Sequence, residues 1–224
     1  MDKILRYLAD LEKHNNRDWY HAHKGEYGGA YTEFERLLFD LIDAISSFDP
    51  SVMLKQPKEL IFRLARDMRF SRDKTPYNPS FRACISRAGR AMIPVSYYIT
   101  IAPNNGSFLG GGLYAPTFTD ATAMVRDYIV DHGDELETII DSKEFSTYFV
   151  LQGEKLKNIP RGYEADHPQA DLIKHKSWYV LYNIDDRAFE NYDKFIEQAA
   201  HTFEAMKPFN DFLNQALKTY PPKE

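Results

Sequence analysis

The stretch FRLARDMRFSRDKTPY, residues 62–77, is the most informative part of the sequence. Its four arginines follow one another at a spacing of three: Arg63, Arg66, Arg69 and Arg72. Over residues 58–90 nine Lys/Arg stand against three Asp/Glu, a local charge of +6 in a chain whose net charge is −5. The stretch is therefore a cationic island in an acidic protein. Such an island attracts anions, and the planar guanidinium of arginine matches carboxylate and phosphate groups.

The pattern around this stretch predicts a strand followed by a turn. Apolar residues alternate along residues 60–65, which is typical of a strand, and we expect that strand to end near Asp67. In a strand, Arg63 and Asp67 share one face and Arg66 lies on the other. We expect an ordered turn over residues 70–79, because two prolines there disfavour a helix interior.

The charged and hydroxyl side chains of the stretch form a candidate anion site. We predict that these residues contact the ligand: Arg63, Arg66, Arg69, Ser71, Lys74, Thr75 and Tyr77, together with Lys24. Asp67 and Asp73 are candidate catalytic bases or, in a weaker hypothesis, ligands of Mg²⁺. His167 is a third catalytic candidate, because the ordinary pKa of histidine suits acid–base chemistry. The alternative is structural, with the same charges forming ion pairs and turn contacts.

Several short segments of the sequence resemble the DUF2461 family of conserved hypothetical proteins. The resemblance is carried by residues 62–77, by NNRDWYHAHKGEY at residues 15–27 and by GGGLY at residues 110–114. Arg126 and the segment around Asp166-His167-Pro168 are similar to the family pattern as well. The family usually has an aromatic residue at position 65 and lysine at position 72, where this chain has Ala65 and Arg72. The resemblance implies a single DUF2461-like domain over residues 1–224 and supports the choice of site, and it implies no particular activity.

The composition predicts one folded domain. A chain of 224 residues with 43% hydrophobic residues can bury one substantial core. The one cysteine, Cys84, allows no intrachain disulfide and fits a reducing compartment. No apolar run approaches the length of a membrane span, and the N-terminus lacks the pattern of a signal peptide. We therefore expect a soluble cytoplasmic protein with no membrane partner, and the sequence leaves its oligomeric state open.

The remaining segments predict an α+β fold. Helical patterns occupy both ends of the chain, and a block of short strands lies between them, including residues 81–86, 95–101 and 107–114. Asn104-Asn105-Gly106 predicts a tight hairpin turn. Short connections of this kind favour a mainly antiparallel sheet, with a mixed sheet as the alternative. Pro208 is expected to break or kink the last long helix.

Three functions remain open at the level of sequence. The first is a protein that binds a phosphate or carboxylate and that could also be an enzyme. The second is a non-enzymatic interaction module in which the same charges are structural ion pairs. The third and weakest is a single-strand nucleic-acid binder that stacks bases on Tyr97, Tyr98 or Trp178. The acidic net charge makes general nucleic-acid binding unlikely, and a small anionic ligand is the favoured partner.

Other chemistries find little support in the sequence. The one cysteine and the seven scattered histidines do not recur at the spacing of zinc ligands, so no metal site is predicted. The cofactor stays open, with Mg²⁺ as the one candidate. Gly110-Gly111-Gly112 lacks the following Lys-Ser/Thr of a phosphate-binding loop. We expect these glycines to allow an aromatic ring or another backbone to pack closely.

Overall fold

The computed structural model describes residues 1–69, 71–115 and 118–221. In these ranges the helices are α1 (Asp2–Lys13), α2 (Arg17–Ala22), α3 (Lys24–Ser46), α4 (Pro57–Leu60), α5 (Thr119–Asp141), α6 (Lys143–Ser146), α7 (Ala170–Ile173) and α8 (Tyr192–Ala216). The strands are β1 (Phe81–Ile85), β2 (Tyr97–Ile101), β3 (Ser107–Leu113) and β4 (Trp178–Ile184). Two short 3-10 helices, Pro50–Leu54 and Asp186–Glu190, complete the described elements.

The four strands form one antiparallel sheet in the order β1-β2-β3-β4. The hairpin between β2 and β3 turns at Asn104 and Asn105, whose φ angles are 60° and 58°. Asparagine tolerates this left-handed conformation, which a two-residue hairpin loop requires. The α+β class and the antiparallel sheet predicted from the sequence are confirmed.

The chain divides into two compact units, each built from segments that are distant in sequence. The first unit comprises residues 1–90, 98–109 and 183–201, and the second comprises residues 91–97, 110–182 and 202–224, of which residues 116–117 and 222–224 are not described. The prediction of one domain over residues 1–224 stays a prediction.

The first unit is built around α1, α3 and β1. Ile4, Leu8 and Leu11 recur at helical spacing on α1 and are fully buried. On α3 the ring of Phe34 stacks on Phe81 of β1, with ring centroids 5.3 Å apart. These buried residues of α1, α3 and β1 form the core of the first unit.

The second unit contains a close approach that only glycine allows. Gly112 of β3 has a φ of +87°, and an added Cβ would lie 2.4 Å from the carbonyl oxygen of Trp178 and 2.7 Å from the ring of Phe209. The predicted role of these glycines, close packing of backbone and aromatic ring, agrees with this geometry.

Three local predictions need correction. Residues 60–67 form no continuous strand: Leu60 ends α4, and only Ile61 and Ala65 make isolated antiparallel bridges. Of the two outcomes expected at Pro208, a break or a kink, the break does not occur, because α8 continues through that residue. The predicted turn over residues 70–79 includes Phe70, which lies outside the described residues, so its conformation is reported for the rest of the turn only.

Candidate functional site

The central stretch folds back on itself instead of continuing into the sheet. Ala65 and Tyr77 form an antiparallel bridge, flanked by hydrogen bonds of 2.8 Å from the Arg66 amide to the Pro76 carbonyl and from the Asn78 amide to the Leu64 carbonyl. In this pairing the side chains of Ala65 and Tyr77 lie on the same face. The stretch is therefore a narrow two-armed loop whose tip carries the charged residues.

Asn15 anchors this loop to the N-terminal helices. Its side chain donates to the Tyr77 carbonyl at 2.9 Å and accepts from the Tyr77 amide at 3.1 Å. These are the two backbone groups that point away from Ala65, so the Asn15 amide occupies the position of a further strand. The N-terminal signature and the central stretch thus form one structural site.

Arg66 is the most enclosed charge of the loop. Its guanidinium is paired with the Asp73 carboxylate, donates to the Thr75 hydroxyl and lies 3.4 Å from the Ser71 hydroxyl. Only 23% of the Arg66 side chain is exposed. The Thr75 amide, and then Arg66, lower the pKa of Asp73 to about 2. A carboxylate held so strongly in its charged form is a poor general base near neutral pH.

Asp67 and Arg69 form a second, separate pair at the surface. The carboxylate accepts the Arg69 side chain at 2.6 Å and its backbone amide at 3.1 Å. The guanidinium of Arg69 is the main reason that the pKa of Asp67 is lowered. Lys74, the remaining predicted cation of the loop tip, donates to the Met68 carbonyl at 3.0 Å. The predicted site residues are thus divided between two groups, one around Arg66 and one around Asp67.

Arg63 differs from these residues because it faces solvent without a partner. It is exposed and makes no ion pair or hydrogen bond within residues 1–69, 71–115 and 118–221. It stands two residues before Ala65, which bridges Tyr77. The ring centroid of its neighbour Phe62 lies 5.8 Å from the guanidinium of Arg82.

A cluster of tyrosines lies next to Tyr77, at the end of the central stretch. Five rings contribute, and we call them the tyrosine cluster: Tyr7, Tyr20, Tyr27, Tyr31 and Tyr77. Tyr20 and Tyr77 stack at 4.4 Å, and Tyr20 and Tyr27 lie 5.5 Å apart. Tyr7 lies 5.9 Å from Tyr27, and Tyr31 lies 5.7 Å from Tyr27. The cluster joins three elements of the N-terminal region to the end of the central stretch.

Burial changes the ionisation of these phenols. It raises the pKa of Tyr7, with smaller contributions from neighbouring hydroxyls, among them those of Tyr20 and Tyr77. Burial, followed by the nearby hydroxyls of Tyr20 and Tyr31, raises the pKa of Tyr27 to about 12. Both shifts favour the neutral form of Tyr7 and Tyr27, in which the hydroxyl can donate a hydrogen bond.

The other predicted residues lie apart from this arrangement or at its rim. Lys24 is exposed at the first position of α3, one turn before Tyr27. His167 belongs to the second unit, where its Nδ1 accepts the Gln169 amide at 3.0 Å. That contact is the local backbone bond expected of a histidine at a helix entry, and the structure does not bring His167 to Asp67 or Asp73 within one unit.

Two further possibilities are limited by burial and by geometry. Tyr97 is 2% exposed and Trp178 is 0% exposed, so neither can stack a base, and Tyr98 remains as the half-buried candidate. Among the described residues no three His, Cys, Asp or Glu side chains are grouped so that they could hold a metal ion. In the same part of the chain no helix is both long and apolar enough to cross a membrane.

Comparison with known proteins places the chain in a family. The family described as conserved hypothetical protein (DUF2461) matches residues 3–212, so the chain belongs to it, and the resemblance seen in the sequence is confirmed. The match includes α1–α7, all four strands, the central stretch and the tyrosine cluster. No curated protein and no solved structure matches the chain.

The tyrosine cluster and the Asn15 anchor were not predicted from the sequence. One signal was present, because Tyr27 and Tyr31 recur at a spacing of four, which places them on one side of α3. Fifteen tyrosines in 224 residues are a second signal. Neither spacing nor composition indicates that Asn15 meets Tyr77, 62 residues away.

Proposed function

We propose that this protein binds a small anion, a phosphate or a carboxylate, at the cationic surface of its first unit. The observation that carries the proposal is a surplus of positive charge without carboxylate partners. All three acidic residues of residues 58–90 are already paired: Glu59 with Lys55 at 3.8 Å, Asp67 with Arg69, and Asp73 with Arg66.

Seven of the nine cationic side chains in that range have no ion pair within the described residues. They are Lys58, Arg63, Arg72, Lys74, Arg82, Arg87 and Arg90. Uncompensated cations concentrated on one unit of an acidic protein raise the local concentration of anions. Arg63 is the leading ligand contact, since it is exposed and has no partner within the described residues.

The proposal concerns binding. The lowered pKa of Asp67 and of Asp73 disfavours either as a general base near neutral pH. Arg66 has a structural part in it: its bonds to Asp73 and Thr75 hold the loop that carries Arg63 and Arg72. The cytoplasmic location predicted from the sequence belongs to this proposal as well.

The experiment is a binding titration on the purified protein with inorganic phosphate, nucleotides and succinate. Ligand binding to the native state raises the unfolding midpoint by mass action, so thermal unfolding reports each interaction. Arg63→Gln should reduce the shift without lowering the midpoint of the free protein, because Arg63 has no partner to lose. Arg161→Gln is the matched control: Arg161 is also exposed and without a partner among the described residues, and it belongs to the second unit.

A second candidate function is a non-enzymatic interaction module. The Arg66–Asp73 and Asp67–Arg69 pairs favour it, because they use four of the predicted ligand-binding and catalytic residues for internal contacts. In that case no anion raises the midpoint, and Arg66→Ala lowers it in the absence of any ligand. A midpoint that no phosphate, nucleotide or succinate shifts would therefore remove the anion-binding proposal and favour the module.

A further inference from the structure

The hydroxyl of Tyr7 is buried without a hydrogen-bond partner. Tyr7 is 3% exposed, and its oxygen contacts no donor or acceptor within the described residues. A buried polar group that makes no hydrogen bond lowers stability, so proteins retain few of them. The position of this hydroxyl among other phenols points to a role in binding a ligand.

The neighbouring phenols are unused in the same way. Of the described hydrogen bonds, none ends on the hydroxyls of Tyr20, Tyr27 or Tyr31. All three side chains are half-buried. The tyrosine cluster therefore contains one buried and three half-buried phenols whose hydroxyls make no hydrogen bond within the described residues.

Charges of both signs lie near the cluster. Lys24 lies one turn before Tyr27, and Arg90 lowers the pKa of Tyr31 against the larger effects of burial and Glu35. Glu26 and Glu35 add to the rise in the pKa of Tyr7 and of Tyr27. The preference for an anion therefore rests on the hydroxyl donors of the cluster and on the unpaired cations of residues 58–90 in the same unit.

We infer that the tyrosine cluster is the binding site for the oxyanion end of a small molecule, with the phenol hydroxyls as its hydrogen-bond donors. The inference rests on the proposed function, whose ligand class it shares, and it adds the contacts that recognise that ligand. Phosphate and carboxylate oxygens accept several hydrogen bonds at once, and a bond to a charged acceptor is stronger than one between neutral groups. Such a ligand would also supply the partner that the Tyr7 hydroxyl lacks.

Trp19 provides a direct optical reporter for this site. Its ring lies 5.8 Å from Tyr7 and 4.0 Å from His23. The only other tryptophan, Trp178, is fully buried and belongs to the second unit. A change in tryptophan emission on titration is therefore expected to come from Trp19.

The test titrates the full chain with inorganic phosphate and, separately, with succinate, following tryptophan emission and confirming the affinity by calorimetry. The variants are Tyr7→Phe and Tyr27→Phe, which remove one hydroxyl each and keep the ring. Tyr192→Phe is the matched control, because its hydroxyl already bonds to Asp40 at 2.5 Å in the same unit. We expect each cluster variant to weaken binding about tenfold, the loss of one hydrogen bond to a charged acceptor, and Tyr192→Phe to bind as the wild type does.

The outcomes separate this inference from the proposed function. Wild-type affinity in Tyr7→Phe and Tyr27→Phe, together with weaker binding in Arg63→Gln, overturns the inference and leaves the anion-binding function standing. The reverse pattern supports the tyrosine site and removes the role of the central stretch. If neither phosphate nor succinate binds the wild type, both fail. A lower unfolding midpoint of Tyr7→Phe without ligand would show that its hydroxyl has a structural partner, which also contradicts the inference.

Discussion

The contact between Asn15 and Tyr77 offers the sharpest quantitative test of this structure. Asn15→Ala removes both hydrogen bonds and leaves the Tyr77 amide and carbonyl without partners. Tyr77 is only 8% exposed, so water replaces those partners incompletely. An unsatisfied buried polar group costs about 1–3 kcal/mol, and Asn15 itself is half-buried, so we expect the free energy of unfolding to fall by about 2–3 kcal/mol for the two groups together.

Urea unfolding measures the total loss, and amide hydrogen exchange assigns it to a position. Exchange at the Tyr77 amide should accelerate in Asn15→Ala. It should stay slow in Asn15→Asp, which keeps the acceptor for that amide and loses only the donor to the carbonyl. Asn16→Ala is the neighbouring control: it removes the cap of α2, with an expected cost of about 1 kcal/mol, and leaves the Tyr77 amide protected. A loss below about 0.5 kcal/mol in Asn15→Ala, with unchanged exchange at Tyr77, would refute the anchoring role.

Three further predictions concern other parts of the molecule. Gly112→Ala should lower the free energy of unfolding in urea by about 3 kcal/mol or more, because the added Cβ is strained at positive φ and clashes with the Trp178 carbonyl. Gly162→Ala, at a φ of +101° with open space around it, should lose only the part that comes from backbone strain. Burial lowers the pKa of His175 below its ordinary 6.5. Below pH 6.5 the unfolded chain therefore binds a proton that the native state does not, and stability should fall as the pH drops towards the folded pKa. His175→Gln should flatten this dependence of stability on pH, and equal slopes in the variant and the wild type would contradict the assignment. The pKa of Tyr27 is raised from 10.0 to about 12, so the native state keeps the proton longer and stability should fall as pH rises between these values. The pKa of Tyr163 is also raised to about 12, so near-ultraviolet titration of Tyr27→Phe should show a late phase that is smaller by one tyrosine, and an unchanged late phase would contradict the assignment.

Much of the architecture follows from patterns that a sequence expresses locally. The helical spacing of Phe34, Leu38 and Leu41 predicted α3, and Asn104-Asn105-Gly106 predicted the hairpin between β2 and β3. These patterns depend on residues that are neighbours in the chain, so the physical cause is visible in the sequence. The α+β class follows from them once the short connections are counted.

The candidate site was less predictable because its decisive contacts are not local. The charge of residues 58–90 marked the region, yet the division of its residues into an Arg66 group and an Asp67 group depends on how the loop folds back. The strand predicted at residues 60–67 failed because the pairing partners are interrupted: Ile61 bridges Ala83 in β1, but Ala65 bridges Tyr77 within the loop.

The two bridges of this segment make it sensitive to length. Ile61 bridges Ala83 and Ala65 bridges Tyr77, and three residues join these two positions. Substituting one of the three changes one side chain, but inserting or deleting a residue changes the length of chain between two fixed positions. One of the bridges would then have to shift its register, and the side chains beyond it would change sides. Among natural variants of this protein we therefore expect many replacements in the segment and almost no changes in its number of residues.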